Sequence, residues 1–560
     1  MKPTRTQSRC RMTSPATPAT PVADPAPANP ASPHQPGPAI PTVDSAKRLS
    51  FTNESGERID YEARVRLISV PRSDSDRRPV GRMSVTSFVR LFAGPEQSVS
   101  AQPNASEQVV AGQPAASDRS AESAPASAPA PAADPSRPIM VLFNGGPIVA
   151  STALLLSGIA PKRAAFNEDL DAPLRDSFRL EDSPSSLLAD CDLLVMDAIG
   201  CGYGRYEPDV DVESKYSAGE DARQFAEAAA AWMVLEGRES SPLYILGESY
   251  GTVRAPLMAK AMLDLAETQI SPAGVILMGN TTNIQEMHDR PRSVAAAACS
   301  LPLMAAAAWY HGKSGLDAKD WRDAVDQARA YAYGPYLNAL FAGSRLPGPQ
   351  RATVAHELER YTGVKASHWL RNHLAISKTR FRSLLLEDEG KVLGVYDARY
   401  AAPESPAFPV DPSSTRVTPV LAACSHLFYN DLLGVDRAIP RIEAPGDVWS
   451  AWDWSVGGPA DGVVGGAKKS PFDEFDYAAP LEFCLNQIAG FRLMVANGCY
   501  DTITTVGASD ALIASMNAPD GSIVQHIYPA GHMTYSDRES AIALNHDLAA
   551  FVARPFVAQA

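Results

Sequence analysis

A serine with a glycine two positions away on each side follows a short apolar run near the middle of the chain. The stretch reads YILGESYGTVRAP, residues 244–256, and places Ser249 between Gly247 and Gly251. A Gly-x-Ser-x-Gly turn between a strand and a helix exposes the serine hydroxyl for nucleophilic attack. Glycines suit the flanking positions because the tight backbone leaves no room for side chains. With the apolar run Leu243–Leu246 before it, the pattern predicts a nucleophile rather than a structural serine.

A serine hydroxyl is a weak nucleophile unless a base takes its proton and an acid orients that base. Where the serine lies on a strand-to-helix turn of this kind, the chain order is Ser, then Asp or Glu, then His, each on a loop after a later strand. Asp501 follows the apolar run Leu493–Ala496, and His532 follows the run Ile523–Tyr528. The sequence therefore predicts a triad of Ser249, Asp501 and His532.

A glycine-rich loop after an early apolar run completes the predicted site. The loop reads NGGP and contains Asn144, Gly145 and Gly146. Glycines let backbone N–H groups approach a developing negative charge closely, and the second donor comes from the residue after the nucleophile. We therefore predict that the oxyanion is stabilised by the N–H groups of Gly146 and Tyr250.

The elements that position these residues alternate between strands and helices. Short apolar runs without polar alternation are typical of strands that are covered on both faces. Six such runs occur, at Ile139–Phe143, Leu193–Met196, Leu243–Leu246, Val275–Met278, Leu493–Ala496 and Ile523–Tyr528. Helical segments lie between several of them, which predicts an α/β fold with a mainly parallel, doubly wound sheet, as in the α/β-hydrolases.

Composition shifts divide the chain into predicted regions. Residues 1–45 are rich in Pro and Ala, a composition that predicts a disordered tail. A stretch of similar composition at 96–137 predicts a flexible insertion. The hydrolase core is expected at 46–284, where two further strand-like runs precede the insertion, and again at 481–560. Residues 285–480 break the strand–helix alternation and predict an inserted, mostly helical cap.

Overall composition excludes some partners and cofactors. The 560 residues carry a net charge of −14, which argues against nucleic acid and anionic membrane surfaces as partners. Seven scattered cysteines without a C-x-x-C pair favour reduced thiols over disulfides or a zinc site. The N-terminus lacks the apolar segment of a secretory signal, so a cytoplasmic protein is expected, or a secreted or periplasmic one if the true start differs. No metal or cofactor is predicted, and the oligomeric state is not indicated.

With these motifs in order, the chain resembles the serine carboxypeptidase family of α/β-hydrolases, in particular its bacterial members. The family's segments read here NGGP, VMDAIGCGYGRY, GESYG, NGCYD and AGHM, and the similarity spans about residues 139–555. The resemblance implies an exopeptidase that releases C-terminal residues from peptides through an acyl-enzyme. Its partner would be a peptide substrate with a free C-terminus.

The resemblance also implies how that substrate is recognised. Asn144, in the loop with Gly145, and Glu248 would bind the C-terminal carboxylate, and Met533 would line the pocket of the leaving residue. A glutamate can donate a hydrogen bond to a carboxylate only when it is protonated, so binding would favour acidic pH. A second glutamate of the family would fall near Ser157 or Gly158 and is absent here.

Two other interpretations remain open. The same triad could act on esters or transfer acyl groups, since half of the carboxylate site differs from the family. The second alternative is a protein of another class, a hydrolase fold that binds without catalysis. The intact set of Ser, Asp and His weighs against it.

Overall fold

The fold comes from a computed structural model that describes most of the chain between Ile40 and Ala553. Most of the predicted tail 1–45 and of the predicted insertion 96–137 lies outside the described residues. The structure describes residues 40–92, 133–173, 177–405, 411–446, 448–456, 469–473 and 476–553.

Most of the strands lie in the first half of the chain, two short ones lie in the insertion after β10, and the last two lie near the C-terminal end of the described residues. They are β1 (Asp44–Thr52), β2 (Arg58–Pro71), β3 (Pro79–Arg90), β4 (Ile139–Phe143), β5 (Lys162–Ala164), β6 (Leu180–Asp182), β7 (Asp192–Asp197), β8 (Arg205–Tyr206), β9 (Leu243–Glu248), β10 (Gly274–Met278), β11 (Lys391–Leu393), β12 (Ala401–Pro403), β13 (Arg492–Gly498) and β14 (Ile523–Tyr528).

The helices lie mainly between the later strands of the sheet and in the long insertion after β10. They are α1 (Thr152–Leu155), α2 (Ala218–Leu235), α3 (Gly251–Asp264), α4 (Ile284–Met287), α5 (Val294–Tyr310), α6 (Trp321–Tyr331), α7 (Leu337–Ala342), α8 (Gly348–Thr362), α9 (Ala366–Arg371), α10 (Lys378–Leu384), α11 (Pro412–His426), α12 (Ala479–Gln487), α13 (Val506–Ser515) and α14 (Arg538–Ala553).

One large sheet organises the protein. Its strand order is β1-β2-β3-β7-β4-β9-β10-β13-β14, with β8 paired to β3. The first three strands and β7 pair antiparallel, whereas β7, β4, β9, β10, β13 and β14 run parallel to one another. This confirms the predicted mainly parallel sheet. The carboxyl ends of β9, β10, β13 and β14 meet at one edge, where parallel sheets place ligand and catalytic groups.

Both faces of the sheet are covered, which explains why its strands read as continuous apolar runs. In β4, Val141 and Phe143 point into a core shared with α2 and α3, whereas Met140 and Leu142 point into a core shared with α11 and α14. The sheet is thus doubly wound, as predicted. None of the helices in the described ranges is long and apolar enough to cross a membrane.

The insertion after β10 is mostly helical and has a core of its own. That core also includes Tyr500 and Val506, which come from the segment that follows β13. The insertion is further tied to the sheet domain by an ion pair between Arg329 of α6 and Asp510 of α13, at 2.7 Å. It therefore packs directly against the loop that contains Asp501.

Candidate active site

The strand β9 turns sharply into α3 at Ser249. Ser249 has a φ of +58°, a conformation that costs energy for a residue with a side chain and is held only where its surroundings fix it. Its N–H donates to the Met278 carbonyl at 3.0 Å, and its carbonyl accepts from the Thr281 hydroxyl at 2.9 Å. A Cβ on Gly247 would lie 2.0 Å from the Gly251 carbonyl oxygen, so only glycine fits there. The turn leaves the Ser249 side chain partly exposed.

His532 and Asp501 lie together on the loops that follow β14 and β13. The His532 Nδ1 is 2.7 Å from the Asp501 Oδ2, and both side chains are buried. Asp501 Oδ1 accepts from the backbone N–H groups of Ile503 at 2.7 Å and Thr504 at 3.0 Å. The Thr504 hydroxyl also donates to Asp501 Oδ2. With Nδ1 facing the carboxylate, Nε2 is the nitrogen that can accept a proton.

The surroundings of His532 favour its protonated form. Burial lowers the pKa of the imidazole, but the Asp501 carboxylate and its hydrogen bond outweigh this, and Glu248 adds to them. The net effect raises the pKa of His532 above its ordinary value. A base with this environment accepts a proton readily from a nearby hydroxyl.

Ser249 and His532 lie on either side of the turn that ends β10. Ser249 is bonded to Met278, and a Cβ on the next residue, Gly279, would lie 3.0 Å from His532 Cε1. Within the described residues, the Ser249 hydroxyl and the imidazole do not form a hydrogen bond. Catalytic hydrogen bonds of this type are often long in the resting enzyme and shorten in the reacting complex.

The glycine loop after β4 lies directly on the nucleophile turn. A Cβ on Gly145 would lie 2.5 Å from the Tyr250 nitrogen, so the two backbones touch. Gly146 has a φ of +123°, which favours glycine. Among the described residues, neither the Gly146 N–H nor the Tyr250 N–H donates a hydrogen bond. The two predicted oxyanion donors are therefore unpaired within this part of the chain, and Gly145, the residue before Gly146, touches the Tyr250 backbone.

Glu248, one residue before the nucleophile, is buried among polar side chains. The Asn144 side-chain amide donates to Glu248 Oε2, and the Tyr535 hydroxyl lies 3.0 Å from both carboxyl oxygens. Asn144 is fixed in turn, because its Oδ1 accepts from the Leu154 N–H at 3.0 Å. Burial raises the pKa of Glu248 to about 7, although His532 opposes this.

Tyr535 is a member of this cluster that sequence reasoning did not predict. It comes three residues after His532 and is fully buried. Tyr535 and Glu248 are 287 residues apart, so only the fold reveals their contact. Its proximity to the predicted histidine is the one signal in the sequence that could have marked it.

Two further positions bear on the predicted substrate site. Met533 is half-buried and packs against the core on the α14 side of the sheet, and its role in a leaving-residue pocket stays a prediction. Ser157, where the second glutamate of the family would fall, is buried and donates to the Leu154 carbonyl at 2.7 Å. That position therefore offers no carboxyl group.

The described residues contain no group of three or more His, Cys, Asp or Glu side chains that could hold a metal ion.

The strand order, the covered parallel sheet and the strained serine between β9 and α3 together identify the architecture. The chain has the α/β-hydrolase fold. This α/β-hydrolase matches no family model, and no curated protein sequence matches it.

Solved structures with similar folds include peptidases and esterases. A prohormone-processing carboxypeptidase from Saccharomyces cerevisiae is 14% identical, with 88% of this chain and 91% of that one covered and a TM-score of 0.49. A proline iminopeptidase from Mycobacterium smegmatis is 11% identical, with 87% and 97% covered and a TM-score of 0.33. A putative aryl esterase from Burkholderia cenocepacia is 11% identical, with 87% and 98% covered and a TM-score of 0.32.

Proposed function

We propose that this α/β-hydrolase is a serine carboxypeptidase, which releases C-terminal residues from peptides through an acyl-enzyme. The observation that carries the proposal is the buried pair of Glu248 and Asn144 directly beside Ser249. A carboxyl group with a raised pKa, next to a nucleophile, can bind the carboxylate that ends a peptide chain. The motif resemblance to serine carboxypeptidases supports the same assignment.

Acylation would begin when the Ser249 hydroxyl attacks the carbonyl of the last peptide bond. His532 Nε2 takes the hydroxyl proton as the oxygen–carbon bond forms, and Asp501 stabilises the resulting imidazolium. The N–H groups of Gly146 and Tyr250 hydrogen-bond the oxyanion. His532 then gives the proton to the leaving nitrogen, the carbon–nitrogen bond breaks, and the C-terminal amino acid departs.

Deacylation would use the same groups with water as the nucleophile. His532 takes a proton from water as its oxygen attacks the acyl carbon, and the Gly146 and Tyr250 N–H groups again stabilise the oxyanion. The proton returns to Ser249 as the ester bond breaks. The shortened peptide leaves with a new carboxylate, and the enzyme is restored.

Recognition of the chain end would depend on the proton of Glu248. Two carboxylates in contact cannot both stay ionised, so Glu248 binds the substrate carboxylate in its protonated form and donates a hydrogen bond to it. A pKa of about 7 keeps much of Glu248 protonated in mildly acidic solution. Asn144 can add a second, neutral donor to the same carboxylate.

The proposal is tested with an N-blocked dipeptide and its C-terminal amide, compared over a range of pH that includes the Glu248 pKa of about 7. We expect a higher kcat/KM for the free acid, because only the acid presents a carboxylate to Glu248 and Asn144. A Glu248→Ala variant should lose this preference while the amide is still cleaved. Equal rates on acid and amide in the unchanged enzyme would contradict carboxylate recognition.

A second function is favoured by one specific observation. Ser157 lies where the family resemblance predicts a second carboxyl group, and its hydroxyl donates to the Leu154 carbonyl. The site for a substrate carboxylate would therefore have one donor fewer. The same triad could then act mainly on esters. An N-blocked amino acid ester that is cleaved far faster than every peptide acid would support this second function.

A further inference from the structure

The hydroxyl of Tyr535 points at the carboxyl group that would receive the substrate. It lies 3.0 Å from Glu248 Oε1 and 3.0 Å from Oε2, and both side chains are buried. Burial raises the pKa of Tyr535 well above its ordinary value, and the Glu248 carboxyl adds to this. The phenol therefore stays protonated and acts as a donor. A donor held between both oxygens favours the carboxylate over the acid.

This contact opposes the form of Glu248 that binds substrate. A phenol that donates to both oxygens stabilises the ionised carboxylate, whereas recognition of a second carboxylate requires the acid. Burial of Glu248 acts in the other direction and favours the acid. The balance between burial and the Tyr535 hydroxyl decides how readily the site becomes protonated.

We propose that Tyr535 is a specificity-determining residue, which shifts Glu248 toward its ionised form and thereby sets the pH above which a peptide carboxylate is rejected. The inference rests on the proposed carboxypeptidase function, because it concerns the same recognition site.

The other groups around Glu248 do not replace Tyr535 in this role. His532 favours the ionised form of Glu248, and Asp501 disfavours it. Both belong to the triad, so neither can be varied without a loss of catalysis. Tyr396 of the insertion packs against His532 and interacts with Glu248 only electrostatically, and Asn144 is a neutral donor that does not titrate. Tyr535 is the titratable neighbour that bonds Glu248 directly.

The test compares Tyr535→Phe with a matched control, Tyr528→Phe. Tyr528 is also buried, and its hydroxyl also donates to a carboxylate, Asp547 on α14, at 2.8 Å. Each change removes one hydroxyl and leaves the ring in place. The pH profile of kcat/KM is measured for an N-blocked dipeptide acid and for its amide, with Tm recorded for each variant.

In Tyr535→Phe, kcat/KM for the dipeptide acid should fall at a pH about one unit higher than in the unchanged enzyme. This is the effect of one lost hydrogen bond to a charged group. The pH profile for the amide should be unchanged in Tyr535→Phe, and the profiles for both the acid and the amide should be unchanged in Tyr528→Phe. An unmoved profile in Tyr535→Phe, or the same shift in Tyr528→Phe, would overturn the role of Tyr535.

A second readout separates this inference from the proposed function. The carboxylic acid C=O band of Glu248 is identified by infrared difference spectroscopy as the band that Glu248→Gln lacks. Its titration midpoint should move upward in Tyr535→Phe without any substrate, and an unmoved midpoint would overturn the role of Tyr535 alone. Equal cleavage of acid and amide by the unchanged enzyme would instead overturn carboxypeptidase function and the pH limit that depends on it.

Discussion

Lys378 of the inserted subdomain donates from its side-chain nitrogen to the Ile503 carbonyl, at 2.8 Å. The same peptide group carries the Thr504 N–H, which donates to Asp501 Oδ1 at 3.0 Å. Lys378 is buried and bonds the Met287 carbonyl as well. One peptide unit thus lies between a cation of the insertion and the acid that orients His532. Through Lys378 the insertion therefore contacts the loop that contains Asp501.

Replacing Lys378 by methionine should impair catalysis and stability together. The Ile503 and Met287 carbonyls lose a charged donor, which should lower the free energy of unfolding by about 1–3 kcal/mol. A less firmly held Asp501 should lower kcat about ten-fold, with KM little changed. Urea unfolding and steady-state kinetics measure the two effects.

Lys313 offers a matched control in the same subdomain. It is more exposed and pairs with Asp388 and Glu389 at the surface, so Lys313→Met should change stability by less than about 1 kcal/mol and leave kcat unchanged. A Lys378→Met variant with lower stability but full kcat would contradict a link to the triad.

Asp501→Asn should leave the fold intact and abolish most activity. The amide cannot stabilise the imidazolium and can favour the wrong tautomer of His532, which lowers kcat about 10⁴-fold in well-studied triads. Asp510→Asn is the control, because Asp510 pairs with Arg329 at 2.7 Å away from the serine and should affect stability but not chemistry. Similar losses of kcat in both variants would argue against a special role for Asp501.

Gly145→Ala should disrupt the oxyanion site. The added methyl group would lie 2.5 Å from the Tyr250 nitrogen, so the loop must move away from the nucleophile turn. We expect kcat to fall by about 10²-fold or more, the typical effect of losing one oxyanion donor. Gly348→Ala is a suitable control, since a Cβ there meets open space, and it should keep full activity. Full activity of Gly145→Ala would contradict the placement of the oxyanion site.

The pH dependence should differ between peptide acids and their amides. His532 must be neutral to act as a base, so activity on both substrates is lost as pH falls through its raised pKa. Glu248 must be protonated to bind a carboxylate, so cleavage of the peptide acid is also lost as pH rises above about 7. Profiles of kcat/KM should therefore be bell-shaped for the acid and lack the alkaline fall for the amide. Identical alkaline limbs would exclude Glu248 as the cause.

The sequence predicts the parallel half of the sheet well because burial on both faces leaves a clear signal. The strand before Ser249 is buried along its whole length and ends where the nucleophile turn begins. The strand before His532 lies at the edge of the sheet, is only half-buried and includes Gln525 and His526, so its signal is weaker. The strand Asp44–Thr52 is not predicted, because it pairs along one side of β2 and buries little beyond Phe51. Its sequence carries almost no pattern of burial.

The polar contacts around the site could not be predicted in the same way. Tyr535 bonds Glu248 and Lys378 bonds Ile503 only because the fold brings distant segments together. Neither pair shares a motif or a spacing along the chain. Residues that supply chemistry on a fixed turn can be recognised from sequence, whereas residues that adjust them depend on packing.

The most direct measurement of the central claim is labelling with a serine-reactive fluorophosphonate, followed by peptide mapping. If His532 and Asp501 activate Ser249, the unchanged protein should take up one label per chain, on Ser249, and lose its hydrolytic activity in step. Ser249→Ala should take up none, and Asp501→Asn should react far more slowly. A protein that hydrolyses substrate but carries no label at Ser249, or a Ser249→Ala variant that keeps its activity, would contradict the account.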